Sequence, residues 1–160
     1  VIKPIVLIPA LAVAAVVFPS TASATTSHTP SNRFVEMTGE QEVPGPGDPD
    51  GVGIFAWRVS GSSLCYAITA HNIDPATAAH IHEGREGEAG PIVVTLQAPT
   101  EGFASECIRA VRRQTADNAE TTLTFGELKA IAHSPRKFYA NVHNEEFPDG
   151  AIRGQLDGAD

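Results

Sequence analysis

From residue 33 onward, apolar and polar side chains mostly alternate one by one, the period of two that sends successive side chains to opposite faces of a strand. Val35 and Met37 interleave with Phe34, Glu36 and Thr38 until the turn-forming run Pro44-Gly45-Pro46-Gly47-Asp48-Pro49-Asp50-Gly51. Residues 52–59 are rich in β-branched and aromatic types. After Ser60-Gly61-Ser62 the alternation returns, with Leu64, Tyr66 and Ile68 against Cys65, Ala67 and Thr69, and the two runs predict a β-hairpin. Short strands are predicted at 79–82 and 91–96 on either side of a glycine-rich connection, and a last hairpin at 138–143 and 151–156 around Pro148-Asp149-Gly150. One stretch breaks the pattern. Within 124–133, Thr124 is placed to cap a helix, Glu127 follows three residues on, and Leu128, Ile131 and Ala132 recur at helical spacing before Pro135 forbids continuation. Many short strands, frequent turns and one short helix predict an all-β fold, an antiparallel Greek-key β-sandwich or barrel.

The N-terminal pattern is different in kind. Residues 5–18 form an apolar run interrupted by Pro9, preceded by Lys3 and followed by Ala22-Ser23-Ala24, the small-x-small form of a cleavage site. The run falls short of the roughly 20 residues needed to span a bilayer. We expect a cleaved signal peptide at 1–24, a flexible tail at 25–32, the folded domain at 33–160, and no membrane span in the secreted product; a retained anchor is the competing reading. Export bears on the two cysteines. In an oxidising compartment Cys65 and Cys107 are expected to form a disulfide, closing a loop of about 40 residues worth about 4 kcal/mol in the chain-entropy model. Two buried free thiols are the alternative. Two cysteines cannot build a zinc finger or a disulfide-dense mini-protein. The balance of 11 Lys+Arg against 19 Asp+Glu, a formal charge of −8, argues against a nucleic-acid partner.

Three stretches, in order, carry a family resemblance. They are Thr38-Gly39-Glu40-Gln41-Glu42-Val43-Pro44, then Ala79-His80-Ile81-His82-Glu83-Gly84 running into Gly90-Pro91-Ile92-Val93-Val94, and finally Tyr139-Ala140-Asn141-Val142-His143 running into Gly150-Ala151-Ile152-Arg153-Gly154-Gln155-Leu156. The set resembles the chordin (CHRD) domain, found repeated in animal chordins and singly in many secreted bacterial proteins. Cys65 and Cys107 stand where secreted members often carry a pair. The resemblance implies a secreted β-sandwich, superoxide-dismutase-like or immunoglobulin-like in layout. It also implies extracellular ligand binding of the kind found in the animal proteins, and we expect a non-catalytic extracellular binding module for a protein or small ligand that the sequence does not identify. Gly45 and the segment Asn144-Glu145-Glu146-Phe147 depart from the usual pattern, both in predicted turns.

His80 and His82 are the sharpest chemical feature. Two residues apart on a strand, they project from one face about 6.5–7 Å apart, close enough for both imidazoles to reach one metal ion. His143 ends another predicted strand and supplies a third nitrogen if the two strands are neighbours. Three imidazoles suit copper or zinc, and shared coordination requires their nitrogens to lie within about 4 Å of one another. The pattern is similar to the copper half of copper/zinc superoxide dismutase, a Greek-key sandwich with a His-x-His and a later Val-His. No histidine lies between Glu83 and His133, so the zinc half has no counterpart. A copper carrier or a dismutase-like redox protein is therefore the alternative to the binding module. A third reading makes the histidines structural, their ring N–H groups orienting the adjacent glycine-rich loop by donating to its carbonyls. Arg153 and Glu83 are candidates for the contacts behind the ligands, with Arg153 expected to pair with Glu83 or Glu42 or to guide an anion to a metal. His71 and His133 read as structural or exposed, and Asp48 and Asp50 only faintly as a calcium loop.

Overall fold

The computed structural model describes residues 32–158. The expected signal peptide and the tail up to residue 31 lie outside them. Strands β1 (Arg33–Thr38), β2 (Val52–Ser60) and β3 (Ser63–His71) form where the alternation is cleanest. Val35 and Met37 of β1, Phe55 and Trp57 of β2, and Leu64, Tyr66 and Ile68 of β3 all point inward. The β2–β3 turn places Gly61 at φ 58°, a backbone angle that glycine adopts without steric cost in a two-residue hairpin turn. Strands β4 (Ala78–Glu83) and β5 (Ile92–Leu96) follow, then β6 (Phe103–Val111), the two-residue β7 (Leu123–Thr124), helix α1 (Phe125–His133), β8 (Phe138–His143) and β9 (Ile152–Gln155). The helix starts as its sequence requires. The Thr124 side chain accepts from Glu127 N while Glu127 Oε2 accepts from Thr124 N, a capping box that satisfies two otherwise unpaired donors.

All nine strands join one sheet in the order β5-β4-β8-β9-β1-β2-β3-β6-β7, antiparallel throughout except for β6 with β7. Strands β1, β2 and β3 are successive hairpins, and β9 returns from the far end of the sequence to lie beside β1, which is a Greek-key arrangement. The sheet coils nearly into a barrel. Its two ends meet where Thr95 N of β5 donates to Glu120 O just before β7. The all-β class with one short helix is the one the sequence predicts. β6 and β7 were not predicted. The inward residues of β6 are the small Ala104 and Ala110 with Ile108, and the exposed Glu106 interrupts their period of two, so its alternation is faint until β3 is beside it. Met37, Phe55, Leu64, Ile68, Ile81 and Ile152 fill the interior with no exposed surface, and α1 adds Leu128 and Ile131. Each such side chain contributes about 1.5–3 kcal/mol on burial.

Cys65 and Cys107 form the expected disulfide. They sit directly opposite each other in the β3–β6 register, so the bond staples two strands that already pair. No helix among the described residues is long and apolar enough to cross a membrane.

Candidate functional site

The alternation that fills the barrel also builds a second, polar surface outside it. In β8, Ala140 and Val142 enter the core, so Tyr139, Asn141 and His143 face outward. In β4, Ala79 and Ile81 enter the core and His80 and His82 face the same way as that trio. The antiparallel β4–β8 register sets His80 opposite Asn141, His82 opposite Tyr139 and Ala78 opposite His143. His143 is therefore the diagonal neighbour of His80, a separation that long and aromatic side chains bridge.

The rings meet. His80 Nδ1 lies 3.0 Å from His143 Nε2, and one ring nitrogen from each of His80, His82 and His143 lies within 4.8 Å of the other two. The close pair is inside the spacing that shared coordination requires. All three nitrogens fall within 4.8 Å of one another, against the roughly 4.2 Å that two metal–nitrogen bonds span end to end, so small ring movements are enough to bring them onto a common ion.

Carbonyl partners fix the tautomers. His82 Nδ1 lies 2.9 Å from Gly90 O and His143 Nδ1 lies 3.0 Å from Pro148 O. A carbonyl only accepts, so both rings carry their proton on Nδ1 and leave a lone pair on Nε2. The His143 lone pair receives His80 Nδ1–H. His82 Nε2 is buried and has no partner. All three imidazoles are held below the ordinary histidine range. Burial drives His80 down to about 4, with the neighbouring His143 and His82 adding to it. Burial is also the main cause for His82 and His143, opposed by their bonds to the Gly90 and Pro148 carbonyls. The rings are accordingly neutral at neutral pH, the state in which imidazole binds a metal.

The loop at 84–91 lies over this surface and is pinned from below. Arg153, only 1% exposed, donates from Nη1 to Glu88 O (2.9 Å) and from Nη2 to Arg85 O (2.8 Å). Its guanidinium also stacks 3.5 Å over the Tyr139 ring. Gln155 Nε2 donates to Gly84 O, Gly90 N donates to the Tyr139 hydroxyl, and His82 stacks flat on Tyr139. Arg153 thus directs its hydrogen bonds to carbonyls, while Glu83 is exposed at the end of β4. Glu42 reaches Arg153 through charge. Its carboxyl is 5% exposed and pushed up to about 7, chiefly by burial, with Arg153 and Asn141 pulling the other way. Asn141 stands between Glu42 and His82, yet Glu42 Oε1 and Asn141 Oδ1 remain without a hydrogen bond of good geometry.

Tyr139, Asn141 and Gln155 belong to this surface although the sequence alone did not single them out. The period of two in 138–143 places Tyr139 and Asn141 on the face of His143 and was the signal available. His71 is exposed at the end of β3 and His133 is the last residue of α1; the structure brings neither to the trio. Asp48 Oδ1 accepts from Asp50 N and Gly51 N, an Asx turn that organises its own loop. No curated protein and no solved structure matches the chain. The family model described as the CHRD domain matches residues 33–156, from the first residue of β1 to the residue after β9. That match takes in the whole barrel together with the polar face on its wall, and the chain belongs to the CHRD domain family.

Proposed function

We propose that this domain is a non-catalytic extracellular binding module that presents the loop at 84–91 and the turn at 144–150 to a protein or small ligand. Membership of the family supports the extracellular binding role. The observation that carries the finer reading is the anchoring of the loop by Arg153. A buried guanidinium, the Gln155 amide, the Tyr139 hydroxyl and the His82 ring together hold four backbone positions. The side chains of Arg85, Glu86 and Glu88 remain at the surface. A loop fixed before encounter spends little entropy on binding, the economy expected of a recognition element.

The test replaces Arg85 and Glu86 with alanine and measures binding of the purified domain to the surface of the cells that produce it. We expect at least tenfold weaker binding with thermal stability unchanged; binding equal to the parent's would refute the assignment of the loop. Export belongs to the same reading. N-terminal sequencing of protein from the medium should begin at Thr25, and a start at residue 1 would overturn the cleaved signal peptide. The alternative, a copper carrier or dismutase-like redox protein, depends on the imidazoles and not on the loop. Arg153 is buried and turns both Nη atoms to carbonyl oxygens, which supports a carrier over an enzyme that draws in an anion.

A further inference from the structure

Orienting the loop accounts for only part of the histidine chemistry. One nitrogen of His82 is enough to hold Gly90, yet its other nitrogen is a lone pair enclosed by protein, 92% of the residue being hidden from solvent, and the nearby Asn141 amide makes no hydrogen bond of good geometry to it. Enclosing such an acceptor forfeits its hydrogen bond to water, a cost the loop contact does not require. Two more imidazoles converge on the same spot from separate positions of two strands. His82 and His143 each donate their remote N–H to a backbone carbonyl, the arrangement that sets ligating histidines in proteins, because it fixes the ring and makes the free nitrogen more basic.

We propose that His80, His82 and His143 bind a single divalent late transition-metal ion, copper(II) in preference to zinc(II), on the outer wall of the barrel. Three neutral nitrogens with no carboxylate among them select against calcium and magnesium, which require oxygen ligands. Between copper and zinc, nitrogen donors favour copper by the general order of divalent affinities. His82 and His143 bind through Nε2. His80 faces them with Nδ1, so its proton moves to Nε2 when the ion enters. Arg153 and Tyr139 act one layer back, by holding the loop that supplies the Gly90 carbonyl. This proposal is independent of the loop's role in recognition.

The full chain, purified and stripped with chelator, is titrated calorimetrically with copper sulfate and with zinc chloride, using magnesium and calcium chlorides as controls. The copper form is examined by electron paramagnetic resonance. The expected result is one ion per chain, copper at least tenfold tighter than zinc, no heat from magnesium or calcium, and hyperfine structure from three nitrogens. His143→Gln and His80→Gln should each weaken copper binding by more than the tenfold to hundredfold typical of contacts behind a ligand. His71→Ala should change nothing. Binding far below one ion per chain, a spectrum from a single nitrogen, or unchanged affinity in His143→Gln would each overturn the proposal. The resonance spectrum needs only the parent protein, so the test stands even if a histidine variant does not fold.

Discussion

At the scale of single residues, two titrations of opposite sign share the polar face. Glu42 is pushed up from 4.5 to about 7, so between those values the folded protein keeps a proton that the unfolded chain has released. Its contribution to stability is fully present below 4.5 and is lost as pH rises through 7. His80 runs the other way. Its folded value of about 4 lies below 6.5, so its contribution is complete above 6.5 and is lost as pH falls through 4. Urea midpoints of the metal-free protein should therefore fall on the acid side for histidine reasons and on the neutral-to-alkaline side for Glu42. Glu42→Gln should gain on the parent as pH is raised from about 5 to about 8; a difference between the two that is flat across that window would refute the burial argument. Gly150 gives a sharper steric prediction. Its φ is 144°, and an added Cβ would lie 2.4 Å from the Glu42 carboxylate. Gly150→Ala should cost about 2 kcal/mol or more in urea unfolding.

Elements show what the sequence disclosed and where it fell silent. The box of Thr124 and Glu127 was legible because capping is local, and Thr124→Ala should cost about 1 kcal/mol by the same measurement. The cystine was legible from compartment chemistry. Replacing Cys65 and Cys107 by alanine should lower stability by about 4 kcal/mol in the chain-entropy model, a loss read from thermal or urea unfolding. Strand β6 was not legible, since Glu106, Cys107 and Arg109 dilute the pattern of Ala104, Ile108 and Ala110 and only pairing with β3 makes it a strand. The same division runs through the site. His80 and His82 were readable as a pair by their spacing, because strand geometry is local. Their meeting with His143 depends on the β4–β8 register, and their carbonyl partners at Gly90 and Pro148 on how two loops return. Glu42 comes to the site from the loop after β1, a placement that no short-range pattern encodes.

Considered as a whole molecule, the barrel keeps its stabilising interior and its chemical surface on opposite sides of one wall. Arg153→Lys should show the separation. Lysine supplies a single charged point where two carbonyls and an aromatic face are now engaged. Faster amide hydrogen exchange is expected at Gly84 and Gly90, with little change in the amides of β2 and β3. Uniform acceleration across the sheet would mean that the wall and the loop are one cooperative unit. The separation rests on β8, where Ala140 and Val142 serve the interior while Tyr139, Asn141 and His143 serve the exterior. Because parity alone assigns these roles, losing a single residue between α1 and β8, from the segment containing Pro135–Lys137, would exchange them wholesale. Histidine and asparagine would be driven among Phe55 and Ile152, and alanine and valine would be left under the loop. The linker before this strand is thus a measuring rod, and its length in residues decides which side chains of β8 meet the interior.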